Sequence, residues 1–145
     1  MKVSTKGRYA LRMLVDLYEH RDQGFISLKD ISIRQDVSKK YLENIVALFA
    51  DTDMLDTARG ARGGYLLKRA ARDISVGEVL KLTEGSLASV TCLEDLTKEC
   101  DRAEACKTLP VWKGLTDCVD QYLAQVTIED IAEEKVPGCT CTVNY

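Results

Sequence analysis

The sequence predicts a mostly α-helical chain with one small β-hairpin. Three observations carry this. Apolar residues recur at helical spacing through most of the chain. Ser or Thr precedes those runs at cap positions. One stretch, MLDTARGARGGYLLKR (54–69), instead has β-type residues on either side of a glycine-rich tip.

Ser4 or Thr5 caps a first helix running to about His20, with Ala10, Met13, Leu14, Leu17 and Tyr18 inward. The segment Asp22 to Gly24 ends it. Ser27, with Asp30 three residues on, opens a short helix carrying Leu28, Ile31 and Ile33. Gln35, Asp36 and Val37 make a turn. Ser38 then caps a third helix with Tyr41, Leu42, Ile45, Val46 and Phe49 inward. A short helix, a tight turn and a second capped helix form a plausible helix-turn-helix.

The hairpin follows directly. Leu55, Thr57, Tyr65, Leu66 and Leu67 supply the strands, and Gly60, Gly63 and Gly64 permit positive φ at the tip. Arg59, Arg62, Lys68 and Arg69 decorate it. A basic hairpin after a helix-turn-helix is a winged helix, whose arginines supply charge or base readout. Residues 1–84 are read as this winged helix-turn-helix domain, with its wing at about 54–69. Ser75 and Glu78 cap its last helix, which buries Val76, Val79, Leu80 and Leu82.

From 85 to 107 helical periodicity fails. It returns at 108–135 in a long helix and a short final one capped by Thr127 and Asp130. Val111, Leu115, Cys118, Tyr122 and Val126 form one stripe, widened by Trp112, Val119 and Leu123. That much apolar surface needs a partner, so the element is read as a dimerisation helix. Residues 136–145 form a tail without helical pattern.

Composition narrows the function classes. With 145 residues, 30% charged, 46% hydrophobic and only 2 prolines, the chain is neither disordered nor low-complexity. No apolar run approaches the ~18 residues of a membrane span. The charged N-terminus is unlike a signal peptide, so a cytoplasmic location is expected. Residues 1–72 hold 14 Lys and Arg against 9 Asp and Glu, whereas residues 73–145 hold 6 against 14. All six cysteines lie in the acidic half. This asymmetry points to a polyanion partner for the first half and separate chemistry for the second.

Cys92, Cys100 and Cys106 sit within TCLEDLTKECDRAEAC. Thiolates suit zinc, copper(I) and iron–sulfur clusters. The wide spacing fits zinc knuckles poorly and suits a larger cluster better. Three unrelated cysteines in a cytosolic loop are the bland alternative. Cys118 lies on the apolar stripe and reads as a packed side chain, while Cys139 and Cys141 form a C-x-C tail. His20, the sole histidine, ends the first helix. No P-loop, G-x-S-x-G or H-E-x-x-H motif is present, and no enzyme is expected.

MKVSTKGRYALRML, SKKYLE, RGARGGYLL, ISVGEV and the cysteine triplet before a Trp-bearing helix together resemble the Rrf-two family of bacterial winged-helix regulators, across about 1–135. The cysteine triplet resembles the IscR group most, with the NsrR and CymR groups as relatives. The resemblance implies a homodimeric transcriptional regulator, a repressor, bound to double-stranded DNA at a roughly palindromic operator. It implies that residues 85–107 hold an iron–sulfur cluster through Cys92, Cys100 and Cys106, 2Fe–2S before 4Fe–4S, which senses cluster supply. The histidine such members place three residues after the third cysteine is Leu109 here, and the acid some relatives supply from the first helix is Arg8. The fourth ligand therefore stays open among the loop acids (Glu94, Asp95, Glu99, Asp101 and Glu104), His20, the C-x-C tail and solvent. Alternatives are a nitric-oxide or redox-sensing repressor, or a cysteine-metabolism repressor acting through a protein partner.

For DNA, Ser38, Lys39, Lys40, Tyr41 and Asn44 are expected at the start of the recognition helix, and Arg59 and Arg62 on the wing. Ser4 and Lys6 are expected phosphate contacts, as is Arg62. Glu43, a carboxylate among cations, is expected to tune selectivity, or else to be a surface charge beside Lys39 and Lys40.

Overall fold

The computed structural model describes residues 2–94 and 100–140. Asp95, Glu99 and Cys141 lie outside the described residues. Helix α1 (Thr5–Glu19) starts at Ser4, whose hydroxyl accepts from the Gly7 amide at 3.2 Å. It ends on a short 3-10 turn closed by Gly24, which holds a positive φ of 76°. Ala10, Met13, Leu14 and Leu17 are buried as expected. Helix α2 (Leu28–Gln35) is capped by Ser27, and α3 (Lys39–Val46) by Ser38, each accepting an amide three residues ahead. Between them Asp36 takes the left-handed conformation, with φ 52°. Aspartate tolerates that turn better than most side chains.

Leu28 and Ile31 of α2 face the core, but Ile33 is 70% exposed. Two residues beyond Ile31 is about 200° around the helix, so one short helix cannot bury both. Tyr41 is half-buried, and Phe49 is buried in a 3-10 turn after α3.

Strands β1 (Leu55–Ala58) and β2 (Gly64–Leu67) pair antiparallel, with Leu55 opposite Leu67 and Thr57 opposite Tyr65. A third segment joins them. Ile26, just before α2, exchanges both backbone hydrogen bonds with Tyr65, at 2.9 and 2.8 Å. The wing is thereby tied to the helix-turn-helix. This gives Gly64 its role: a Cβ there would collide with the Ile26 carbonyl. Gly60 does take positive φ, at 99°, whereas Gly63 is needed because a Cβ would strike the Ala58 carbonyl.

Helix α4 (Val76–Glu84) starts at Ser75, which accepts from the Glu78 amide. The Glu78 carboxylate does not return to the cap. It pairs instead with Arg69, which also reaches Asp53 at 3.1 Å. Arg69 is thus half-buried and holds the end of the wing onto α4, rather than decorating the hairpin. Leu82 of α4 is half-buried.

Helix α5 (Leu109–Gln125) packs its C-terminal end on α4 through Tyr122 and Leu123. Helix α6 (Ile128–Ala132) has the full capping box of Thr127 and Asp130 and packs on α1. The main core gathers α1, α2, α3, the wing base and Ile128, and a smaller cluster joins Val76, Leu80, Leu87 and Val126. Among the described residues no helix is long and apolar enough to cross a membrane.

Candidate nucleic-acid interface and cysteine loop

Helix α3 turns Leu42, Ile45 and Val46 inward. Helical geometry then leaves Lys39, Lys40, Glu43 and Asn44 on the opposite face, where all four are exposed. Ser38 is exposed at the cap. Tyr41 lies between the two faces and meets Tyr9 of α1 edge-on, with ring centres 5.8 Å apart. Glu43 lies 3.9 Å from Lys39, one turn away. It also lines a cleft between α3 and the wing together with Ala47, Thr57 and Tyr65. A loose surface pair of this kind is worth ~0–1 kcal/mol, so Glu43 stays available to another donor.

Arg59 and Arg62 are exposed at the tip of the wing. The tip is closed by the Gly63 amide bonding the Gly60 carbonyl at 3.0 Å. Lys6 is half-buried on α1. Ser4 has a second partner besides the cap. Its hydroxyl donates to Glu84 at 2.7 Å while capping α1, and a carboxylate at that spot opposes a phosphate. α3 and the wing tip together offer four exposed cations, one amide and one carboxylate.

The helix-turn-helix is held by charges that the sequence pattern does not single out. Asp16 is fully buried. It accepts from Arg34 at 2.6 and 2.9 Å and from Gln35 at 2.9 Å. Burial pushes its carboxyl up, but the Arg34 and Gln35 hydrogen bonds and the Arg34 and His20 charges outweigh that and hold it below the ordinary range. The His20 ring lies on the Asp16 carbonyl at 2.8 Å, which places this histidine at a helix end and in contact with α1. A single Asp in an otherwise apolar helical stripe was the only sequence signal for this pair.

Residues 85–94 and 100–108 form a loop with two 3-10 turns, Thr91–Leu93 and Ala103–Ala105, anchored by buried Leu87 and Ala88. Cys92 is exposed, and Cys100 and Cys106 are half-buried. Cys106 lies just ahead of α5. Hydrogen bonds from the Thr108 hydroxyl and backbone, aided by the Leu109 amide and the Arg102 charge, draw its thiol below the ordinary value despite some desolvation. Three thiols are the soft donors an iron–sulfur group takes, and one is already biased toward thiolate, so the donor chemistry fits. Among the described residues, however, no three His, Cys, Asp or Glu side chains gather into a metal-holding group. Glu94, Asp101 and Glu104 are exposed on the same loop, and Cys139 is exposed on the tail.

The Rrf2 family model, described as an iron-dependent transcriptional regulator, matches residues 3–134. The chain belongs to the Rrf2 family. It is 31% identical over 135 residues to the HTH-type transcriptional regulator IscR of Pectobacterium carotovorum, covering 93% of this chain and 81% of that protein. It is 34% identical over 146 residues to protein rrf2 of Nitratidesulfovibrio vulgaris, covering 99% and 97%. Among solved structures, it is similar to CymR, the global cysteine regulator of B. subtilis, with TM-score 0.76 and 32% identity, covering 92% of this chain and 98% of that one. Like these Rrf2 proteins, the chain is a DNA-binding transcriptional regulator with a winged-helix fold.

Proposed function

We propose that this Rrf2 regulator is a homodimeric repressor whose promoter choice is set by an iron–sulfur cluster on Cys92, Cys100 and Cys106. The observation that carries the reading is one chain with two faces. One is an open basic surface on α3 and the wing; the other is a three-thiol loop ahead of a helix whose N-terminal apolar residues are exposed. Asn44 pairs with an adenine edge, and Arg59 with guanine or a narrow minor groove. Lys39, Lys40, Lys6 and Arg62 neutralise phosphates, and the Ser38 hydroxyl and Tyr41 border them. Glu43 discriminates between sites by accepting only from a cytosine amino group. Ser4 contributes through its cap on α1, its hydroxyl being given to Glu84. The exposed Val111, Trp112 and Leu115 of α5 meet a second copy, which makes the operator roughly palindromic.

The cluster, 2Fe–2S before 4Fe–4S, would supply a redox-active and losable group that reports cluster supply. Its fourth donor is solvent, a loop acid or the tail. Iron and sulfide counts on anaerobically purified protein, with an absorption spectrum, test this. A coloured wild type and a colourless Cys92→Ala variant are expected. Double replacement of Cys139 and Cys141 by Ser assigns the tail if it shortens the cluster's lifetime in oxygen. Iron-free wild type with full operator binding would overturn the cluster reading. That result would favour the second reading, a repressor that works through a protein partner, to which the absence of a gathered ligand group among the described residues lends support.

A further inference from the structure

We infer that Tyr9 and Arg12 of α1 are positioning residues, which set the angle at which α3 meets DNA. The inference rests on reading α3 as the recognition helix. Residues 9, 12 and 16 are spaced by three and four, so they share one face of α1. That face runs along the turn between α2 and α3. At one end buried Asp16 grips Arg34 and Gln35, the last two residues of α2. In the middle, the Arg12 guanidinium donates to the Gln35 side-chain oxygen at 3.0 Å and to the Gln35 backbone carbonyl. That carbonyl is one of those a helix C-terminus leaves without a partner. Arg12 also lies over the Tyr9 ring, 5.0 Å from its centre. At the far end Tyr9 meets Tyr41 on α3 edge-on.

The chain of contacts is continuous: Asp16, Gln35, Arg12, Tyr9, Tyr41. It spans the turn from the end of α2 to the first turn of α3. Around the helix Tyr41 lies between Asn44 and buried Ile45, on the edge of the face that carries Asn44. A tilt of α3 about this contact would carry Glu43 and Asn44 with it, because both stand on the same short helix. The hydrophobic core holds α3 in place from the opposite side through Leu42, Ile45 and Val46, so loss of the clamp changes orientation before it changes folding.

The decisive variants leave the charge unchanged. Tyr9→Leu removes the ring between Arg12 and Tyr41, and Gln35→Met removes the side-chain amide that joins Arg12 to Asp16, leaving Arg12 only the Gln35 backbone carbonyl. The probes are a duplex selected from a random library by the wild-type protein and a scrambled duplex of equal length. Each variant is expected to bind the selected duplex about tenfold more weakly, as for one poorly met base pair. Affinity for the scrambled duplex and the salt slope should stay at wild-type values, because no charge is lost. Tyr9→Phe keeps the ring and should bind as wild type does. Three results would overturn the inference: unchanged binding of the selected duplex by both variants, equal loss on both duplexes, or a Tyr9→Phe variant as weak as Tyr9→Leu. If the wild-type chain selects no duplex at all, the DNA reading of α3 fails and the inference falls with it.

Discussion

Two helices of similar length meet opposite fates in this chain. Helix α1, of 15 residues, buries Gly7, Ala10, Met13, Leu14, Asp16 and Leu17. Helix α5, of 17 residues and no less apolar in pattern, buries none of its residues. Val111, Trp112 and Leu115 are 61, 36 and 47% exposed at its N-terminal end. The N-terminal helices close their core within one chain, with Ile74, Val79 and Ile128 completing it, and cover even a carboxylate with an arginine. The second half leaves its largest apolar face open next to its thiols. On the proposed reading, the open face of α5 is the surface that a second copy would cover.

The largest effect is expected where the closed half is broken. Asp16→Ala leaves Arg34 without its partner. Breaking a buried ion pair costs about 3–5 kcal/mol, and the low end applies because the Arg34 side chain is 29% exposed and can rehydrate. At roughly 2–4 °C per kcal/mol, thermal unfolding should fall by about 6–12 °C. A shift under about 2 °C would mean that the helix-turn-helix does not depend on this pair.

The open half should respond differently. Leu115→Asp places a charge in the proposed subunit contact. Light scattering should show a monomer, with operator affinity lost and the winged-helix fold retained by circular dichroism. A stable dimer with full binding would remove α5 from the interface and end the contrast between the halves.

On the DNA face, Arg59→Ala should weaken operator binding by about 1–3 kcal/mol, read in a titration at fixed salt. Wild-type binding would take the wing tip out of recognition. Glu43→Ala should broaden the range of duplexes bound with little change in non-specific affinity. Only the pair with Lys39 is lost, worth ~0–1 kcal/mol. Unchanged selectivity in cluster-loaded and cluster-free protein would make Glu43 a surface charge.

The smallest effect concerns acid. The folded-state value of Asp16 lies below its unfolded value. The carboxylate therefore contributes stability above the unfolded value of about 3.9 and loses it as pH falls through the folded value. The acid limb of wild-type stability below about pH 4 should be shallower in Asp16→Asn. Parallel limbs in the two proteins would assign acid unfolding to other groups.

Much of this was legible in the sequence because it is local. Each cap at Ser4, Ser27, Ser38, Ser75 and Thr127 satisfies an amide three residues ahead, which a reader of spacing can see. The same holds for the inward stripes of α1 and α3 and for the two strands around their glycines. Lys39, Lys40, Glu43 and Asn44 were visible as positions opposite the apolar face of α3. The buried role of Arg69 was not visible, because Asp53 and Glu78 are 16 and 9 residues away. Nor was Ser4's bond to Glu84, 80 residues on.

The sequence by itself determined which segments are helical, where they start, and that a basic half precedes an acidic, thiol-bearing one. Those properties follow from periodicity, capping and composition, which act over a few residues. Only the tertiary structure decided that Ile26 completes the wing, that Asp16 clamps the turn before α3, and that α5 packs on α4 by its C-terminal end. Each of these depends on which distant groups burial brings together, and burial is a property of the packed chain.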